Sequence, residues 1–216
     1  MLAYFDQEQH RTAQAMGRYH PWSVTLNTPD GRYVDFKELP NEIEATLEDL
    51  HHAGSIELKR AIVDFISWAN GPACTFETND FGLRPLRKNG SATSTKALEQ
   101  MARVTVFFRD LSRNTLSGDL IAFAQEMELT LKVTAPQFES ACWGWCLWPH
   151  LFLALGDENT PEAEGNIIQY MVWAWGNSET EVQDNMIRAF VILQQALNET
   201  VATISMETKP TSQIQP

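Results

Sequence analysis

The chain has 216 residues, of which 28 are acidic and 16 basic, leaving a formal charge of −12. That length can bury a sizeable core, and an apolar share of 44% with only 20% charged residues excludes a disordered chain. The acid excess argues against direct nucleic-acid binding, because phosphate contact relies on clustered Lys and Arg.

Residues 1–10 (MLAYFDQEQH) lack the basic start and apolar run of a secretory signal, so a cytoplasmic protein is expected. Cys74, Cys142 and Cys146 are too few for a disulfide framework and read as reduced thiols. The longest uncharged stretch, 140–156, is shorter than the roughly 20 apolar residues that span a bilayer. It also contains Gly144, Pro149 and His150, so we expect a buried segment and no membrane span.

Residues 22–36 set Trp22, Val24 and Leu26 on one face, followed by Pro29-Asp30-Gly31 and then Tyr33, Val34 and Phe36. That is the pattern of a β-hairpin. Asn41 with Glu44 predicts a capped helix carrying Ile43, Leu47 and Leu50 until Gly54 stops it. Ser55 opens a second helix, whose stripe of Leu58, Ile62, Phe65 and Ile66 ends at Asn70-Gly71-Pro72. Residues 74–86 read as a second short hairpin turning at Asn79-Asp80, and 87–95 as an exposed loop between two lobes.

Further on, Leu98, Met101, Val104, Phe108 and Leu111 follow helical spacing, although 103–107 also fits a strand; we prefer the helix. Residues 117–133 predict a helix through Leu120, Phe123, Ala124, Met127 and Leu131, closed by Ala135-Pro136. Thr160-Pro161-Glu162 carries the signals of a helix start, with Ile167, Ile168, Met171, Val172 and Trp175 on one face until Gly176. A capping box at Ser178 and Glu181 precedes Val182, Met186, Phe190, Leu193, Leu197, Val201 and Ile204, which predict a long amphipathic helix over 178–205. Residues 206–216 read as a polar, flexible tail. The expected fold is α+β and predominantly helical: N-terminal β-hairpins, then a helical C-terminal lobe ending in the long helix. Residues 1–205 form a single domain in this reading, with lobes at 1–88 and 94–205.

Charge is uneven along this plan. Residues 71–113 hold seven basic and four acidic residues, whereas 114–216 hold three basic and thirteen acidic ones. The acidic half either presents solvated faces or docks on a basic partner. The positive stretch offers an anion contact at Arg84, Arg87 and Lys88, beside the small-residue loop 89–93, or meets the acidic face of a second copy in a homo-oligomer.

Five histidines, at positions 10, 20, 51, 52 and 150, show no zinc spacing of the common kinds. His51 and His52 suit a helix C-terminus better than a metal site with Glu44 and Glu48. Cys142, Cys146 and His150 would share one face of a helix, but their apolar neighbours favour core thiols. No metal or cofactor is expected. Glu77 and Asp80 could seat an acid/base pair, against the turn preference of Asn and Asp for backbone reasons. No nucleophile elbow or phosphate loop occurs. Trp143, Trp145, Trp148, Trp173 and Trp175 fall in two apolar stretches; they serve the core, a stacking site or an interface anchor.

These features lead us to expect a non-enzymatic binding protein of the inhibitor, immunity or adaptor kind. It would meet a basic protein partner through Glu158, Glu162, Glu164, Trp173, Trp175, Glu179, Glu181 and Asp184. The alternatives are an enzyme whose site gathers His51, His52, Glu77, Asp80 or His150, and a small-ligand binder using the tryptophans.

Overall fold

The computed structural model describes residues 2–6, 16–19, 22–23, 33–48, 50, 52–115, 119–153 and 161–207. In chain order these form β1 (Leu2–Phe5), β2 (Met16–Tyr19), β3 (Trp22–Ser23), β4 (Tyr33–Val34), α1 (Glu42–Thr46) and α2 (Ile56–Asn70). Then come β5 (Phe76–Leu83), β6 (Arg87–Lys88), β7 (Leu98–Phe108) and a 3-10 turn at Leu111–Asn114. The described chain closes with α3 (Asp119–Thr134), β8 (Ala141–Leu153), β9 (Pro161–Gly176) and α4 (Glu179–Glu207). None of the described helices is long and apolar enough to cross a membrane.

A seven-stranded sheet, not a helical lobe, organises the molecule. Its order is β1-β8-β9-β7-β5, with β2 also on β8 and β6 also on β7. All pairs are antiparallel except β1 and β2, which run parallel to β8. The predominantly helical expectation is therefore corrected. The segments read as helices through Val104 and through Val172 are the central strands β7 and β9, paired at Ala102↔Val172 and Val104↔Tyr170.

The physical reason lies in alternation. On β9, Ile168, Tyr170, Val172 and Ala174 all reach 0% exposure on the helix-covered face, while Ile167, Met171, Trp173 and Trp175 occupy the other. A strand apolar on both faces contains every step that a helical stripe needs, so its period of two is masked. What separates the two readings is composition, since β-branched and aromatic residues favour the pleated strand.

Helices α2, α3 and α4 cover one face of the sheet. The stripes expected from the sequence face inward: Leu58, Ile62, Phe65 and Ile66 on α2, Phe123 and Met127 on α3, and Val182, Met186, Phe190 and Leu193 on α4 are all buried. Trp143 and Trp145 point up between them, each donating its indole N–H to a helix carbonyl, Ala189 at 3.2 Å and Ala124 at 3.0 Å. A buried indole needs such a partner to avoid an unmet donor.

Three smaller expectations change. The helix expected from Asn41 to Gly54 shrinks to the single turn of α1, and Asn41 sits in helical geometry without capping through its side chain. Gly54 does mark a stop, at φ 73°, and a β-carbon there would meet the Gln183 side chain. The second hairpin is instead one strand, β5, whose register shifts between Thr78 and Asp80. That bulge keeps Phe76, Phe81 and Leu83 on the core side. The first hairpin does pair, as Trp22↔Val34 and Ser23↔Tyr33; its Pro29-Asp30-Gly31 turn, like the tail from 208, lies outside the described residues.

Candidate functional site

The far face of the sheet, opposite the helices, is read off the register. One row carries Arg87, Glu99 and Trp175, because Arg87↔Glu99 and Glu99↔Trp175 are both cross-strand partners. The next carries Met101, Trp173 and Cys142. The row after it holds Arg103, Met171, Gly144 and Tyr4. Further along, the face is closed by the 3-10 turn, whose Leu111 packs with Phe107, Phe152, Ile167 and Trp148.

Two cavities open on this face. The larger, about 560 Å³, is lined by Tyr4, Cys142, Trp173, Trp175 and Glu99, with Arg87, Lys88, Gly90, Ser91 and Thr93 at one side. Its size falls in the usual range for small-ligand clefts. Trp173 is half-buried and Tyr4 is 43% exposed, so an aromatic surface stays accessible. Tyr4 lies flat because residue 144 is glycine; a β-carbon there would come within 2.6 Å of the Tyr4 ring.

Beneath this floor, Glu99 is 4% exposed and doubly engaged. It accepts from the Trp175 indole at 3.3 Å and from Arg87 Nε at 2.8 Å. A buried carboxylate needs such partners, and this pair turns the Arg87 side chain into a fixed arm. The adjoining loop is braced by Asn89, which donates to the carbonyls of Ser94 and Lys96 and accepts from the Ser91 N–H at 2.8 Å.

The second cavity, about 310 Å³, is lined by Asp80, Arg103, Thr105, Trp148, Pro149, His150, Ile167 and Gln169. Here Arg103 and Asp80 form an ion pair at 2.5 Å. The expected Glu77/Asp80 couple is divided: Asp80 faces Arg103, whereas Glu77 sits between Lys37 and Arg109 at 3.3 and 3.5 Å. Arg109 in turn binds the carbonyls ending α2, at Asn70 and Gly71. Cys142, Cys146 and His150 do share one face, but on a strand, where four residues span about 13 Å; they cannot converge on one ion. Among the described residues no cluster of three or more His, Cys, Asp or Glu could hold a metal.

Burial pushes the Cys142 thiol up to about 12 and the Cys146 thiol up to about 11. Burial thus opposes the thiolate form of both and disfavours them as nucleophiles. Burial likewise raises the Tyr4 hydroxyl.

Of the acidic and aromatic residues singled out in the sequence, Trp173 and Trp175 share the larger cavity. Glu179 and Asp184 are exposed on the first turns of α4, and Glu181 is held by Lys96 at 2.5 Å. Glu164 is exposed on β9, nine residues and about 30 Å along the strand from Trp173. Glu158 lies outside the described residues, as do His51 and the side chain of Glu162. Arg87 and Lys88 line the cavity and Arg84 does not. Tyr4 and Glu99 were not foreseen; the only sequence signal for Glu99 is a lone acid in a run of apolar alternation. Comparison with family models, with curated proteins and with solved structures returned no match.

Proposed function

We propose that the protein is a non-catalytic binding protein whose ligand seat is the cleft at the Trp173–Trp175 end of the sheet. One observation carries this reading: aromatic residues and basic residues that lie far apart in sequence line a single cavity of about 560 Å³. Aromatic floors with a few fixed polar groups are what small-ligand sites require. Burial of Cys142, which lines the cleft, disfavours covalent chemistry at that thiol. The test is a thermal-shift screen of the full chain against fractionated small molecules from a cell extract. A fraction that raises the midpoint of the natural protein, but not of Trp173→Ala, supports the cleft. Fractions that act equally on both refute it.

Docking of a basic protein on the acidic start of α4 is a second reading, favoured by the exposure of Glu179 and Asp184 there. A partner captured at roughly 0.1 M salt and lost at 0.5 M supports it, since screening is strong at the higher value. Capture unaffected by reversing Glu179 and Asp184 to lysine overturns it.

A further inference from the structure

Resting on the cleft reading above, we infer that the larger cavity takes a planar aromatic ligand bearing a carboxylate or phosphate group. The geometry points to Arg87 as the residue that captures the anion. Its Nε is tied to Glu99 at 2.8 Å, yet 69% of its side chain remains accessible. The terminal nitrogens of its guanidinium make no hydrogen bond to any described residue. An arginine oriented through Nε presents its two terminal nitrogens as a fork, the geometry that binds carboxylate or phosphate through two parallel bonds.

The rest of the cavity agrees with an anion on one side and a flat apolar body on the other. Ser91 and Thr93 line the same side from the braced loop. Opposite them stand Trp173 and Tyr4, whose faces offer stacking surface. Glu99 does not compete for the ligand, because its two oxygens are already occupied by Arg87 and Trp175. Because Glu99 is fixed by Trp175, the arm is set before any ligand arrives, and preorganisation of this kind lowers the ordering cost of binding.

Three probes of one shape separate charge from stacking: naphthoate, naphthyl phosphate and the neutral naphthamide, each titrated calorimetrically into the full chain. We expect naphthoate or naphthyl phosphate to bind at least about tenfold more tightly than naphthamide, as a charge-assisted pair of bonds implies. Arg87→Met should abolish that preference, and Trp173→Ala should weaken all three. Arg87→Lys keeps a cation beside Glu99 but loses the fork, so a folded Arg87→Lys protein should still lose several-fold of the anion preference. The tighter of the two anions identifies the group.

Equal affinity for naphthamide, or an anion preference that survives both Arg87 variants, overturns the anion assignment; Trp173-dependent binding would then leave the cleft itself standing. Absence of binding by all three also overturns the ligand class, and the extract screen decides the cleft separately.

Discussion

Replacing Asn114 should destabilise the whole chain far more than a loop asparagine ordinarily would. Asn114 sits in the 3-10 turn with 0% exposure. Its side-chain amide receives the Phe108 N–H at 2.9 Å and donates to the Phe108 carbonyl at 2.8 Å. The last β7–β9 pair is Val106↔Ile168, so beyond it this one amide stands in for the missing strand residue. Asn114→Ala leaves both peptide groups of Phe108 unpaired beside a residue only 1% exposed. An unmet buried peptide group costs about 1–3 kcal/mol. Taking the lower part of that range for each, we expect a loss of about 2–4 kcal/mol.

For a chain of this size that corresponds to a fall of about 5–15 °C in the thermal midpoint. With a urea m-value of about 2 kcal/mol/M, the denaturation midpoint should drop by about 1–2 M. Asn114→Asp separates hydrogen bonding from shape. It keeps an acceptor for the Phe108 N–H but sets an oxygen against the Phe108 carbonyl, so at neutral pH it should be at least as damaging as alanine. Paired urea and thermal unfolding of the three proteins decide the matter. A loss under about 0.5 kcal/mol, the level of an ordinary surface change, or aspartate tolerated better than alanine at neutral pH, would refute the role given to this amide.

Gly144→Ala should push the Tyr4 ring off the cleft floor, weakening an aromatic ligand several-fold while moving the thermal midpoint little, because Tyr4 is 43% exposed on an edge strand; calorimetry and a thermal scan measure the two effects. Cys142 and Cys146, raised by burial from an ordinary 9.0 to about 12 and about 11, should resist iodoacetamide at neutral pH until the chain unfolds, as mass spectrometry would register. Since the unfolded thiols ionise first, they favour the folded state fully below pH 9.0 and lose that contribution as pH climbs toward their folded values, so urea midpoints should fall over that interval. The Lys96 hydrogen bond holds the Glu181 carboxyl below its ordinary value, so Lys96→Met should raise its titration midpoint in carboxyl-carbon NMR. The stabilisation from that pair is present above the unfolded value of 4.5 and is lost as pH falls through the lower folded one.

Helices α2 and α4 were legible because each buries a single stripe. Leu58, Ile62 and Phe65, or Val182, Met186 and Phe190, leave a mostly polar remainder broken by exposed Ile56 and Val191, so the period of 3.6 survives in the sequence. The capping box was legible for the same local reason: the Glu181 N–H donates to Ser178 Oγ at 3.2 Å, and Glu181 Oε2 accepts from the Asn177 N–H at 2.8 Å. The central strands were not. On β9 the far-face Met171 and Trp173 interleave with the helix-face Tyr170, Val172 and Ala174, which masks the period of two; on β7 the far-face Arg103 and Thr105 did alternate with Ala102, Val104 and Val106, but the helical spacing of Leu98, Met101, Val104 and Phe108 outweighed that signal. At β5 the pair Asn79-Asp80 carried turn chemistry that serves a bulge, which a local pattern cannot distinguish from a hairpin.

The site was legible only in halves. Trp173 and Trp175 were noticed as aromatics, and Arg87, Lys88 and the small-residue loop as an anion contact, but nothing local joins them. What joins them is register. Glu99 pairs with Arg87 on one side and with Trp175 on the other, and that second partner lies 76 residues further along the chain. Sliding the β7–β9 pairing by one residue would turn Glu99 toward the helix face beside Val172 and Ala174 of β9 and release Arg87 from its arm position. The apolar side chains on the helix face therefore specify the cleft on the opposite face: by fixing which residues of β7 point inward, they fix which carboxylate is left to hold the arginine.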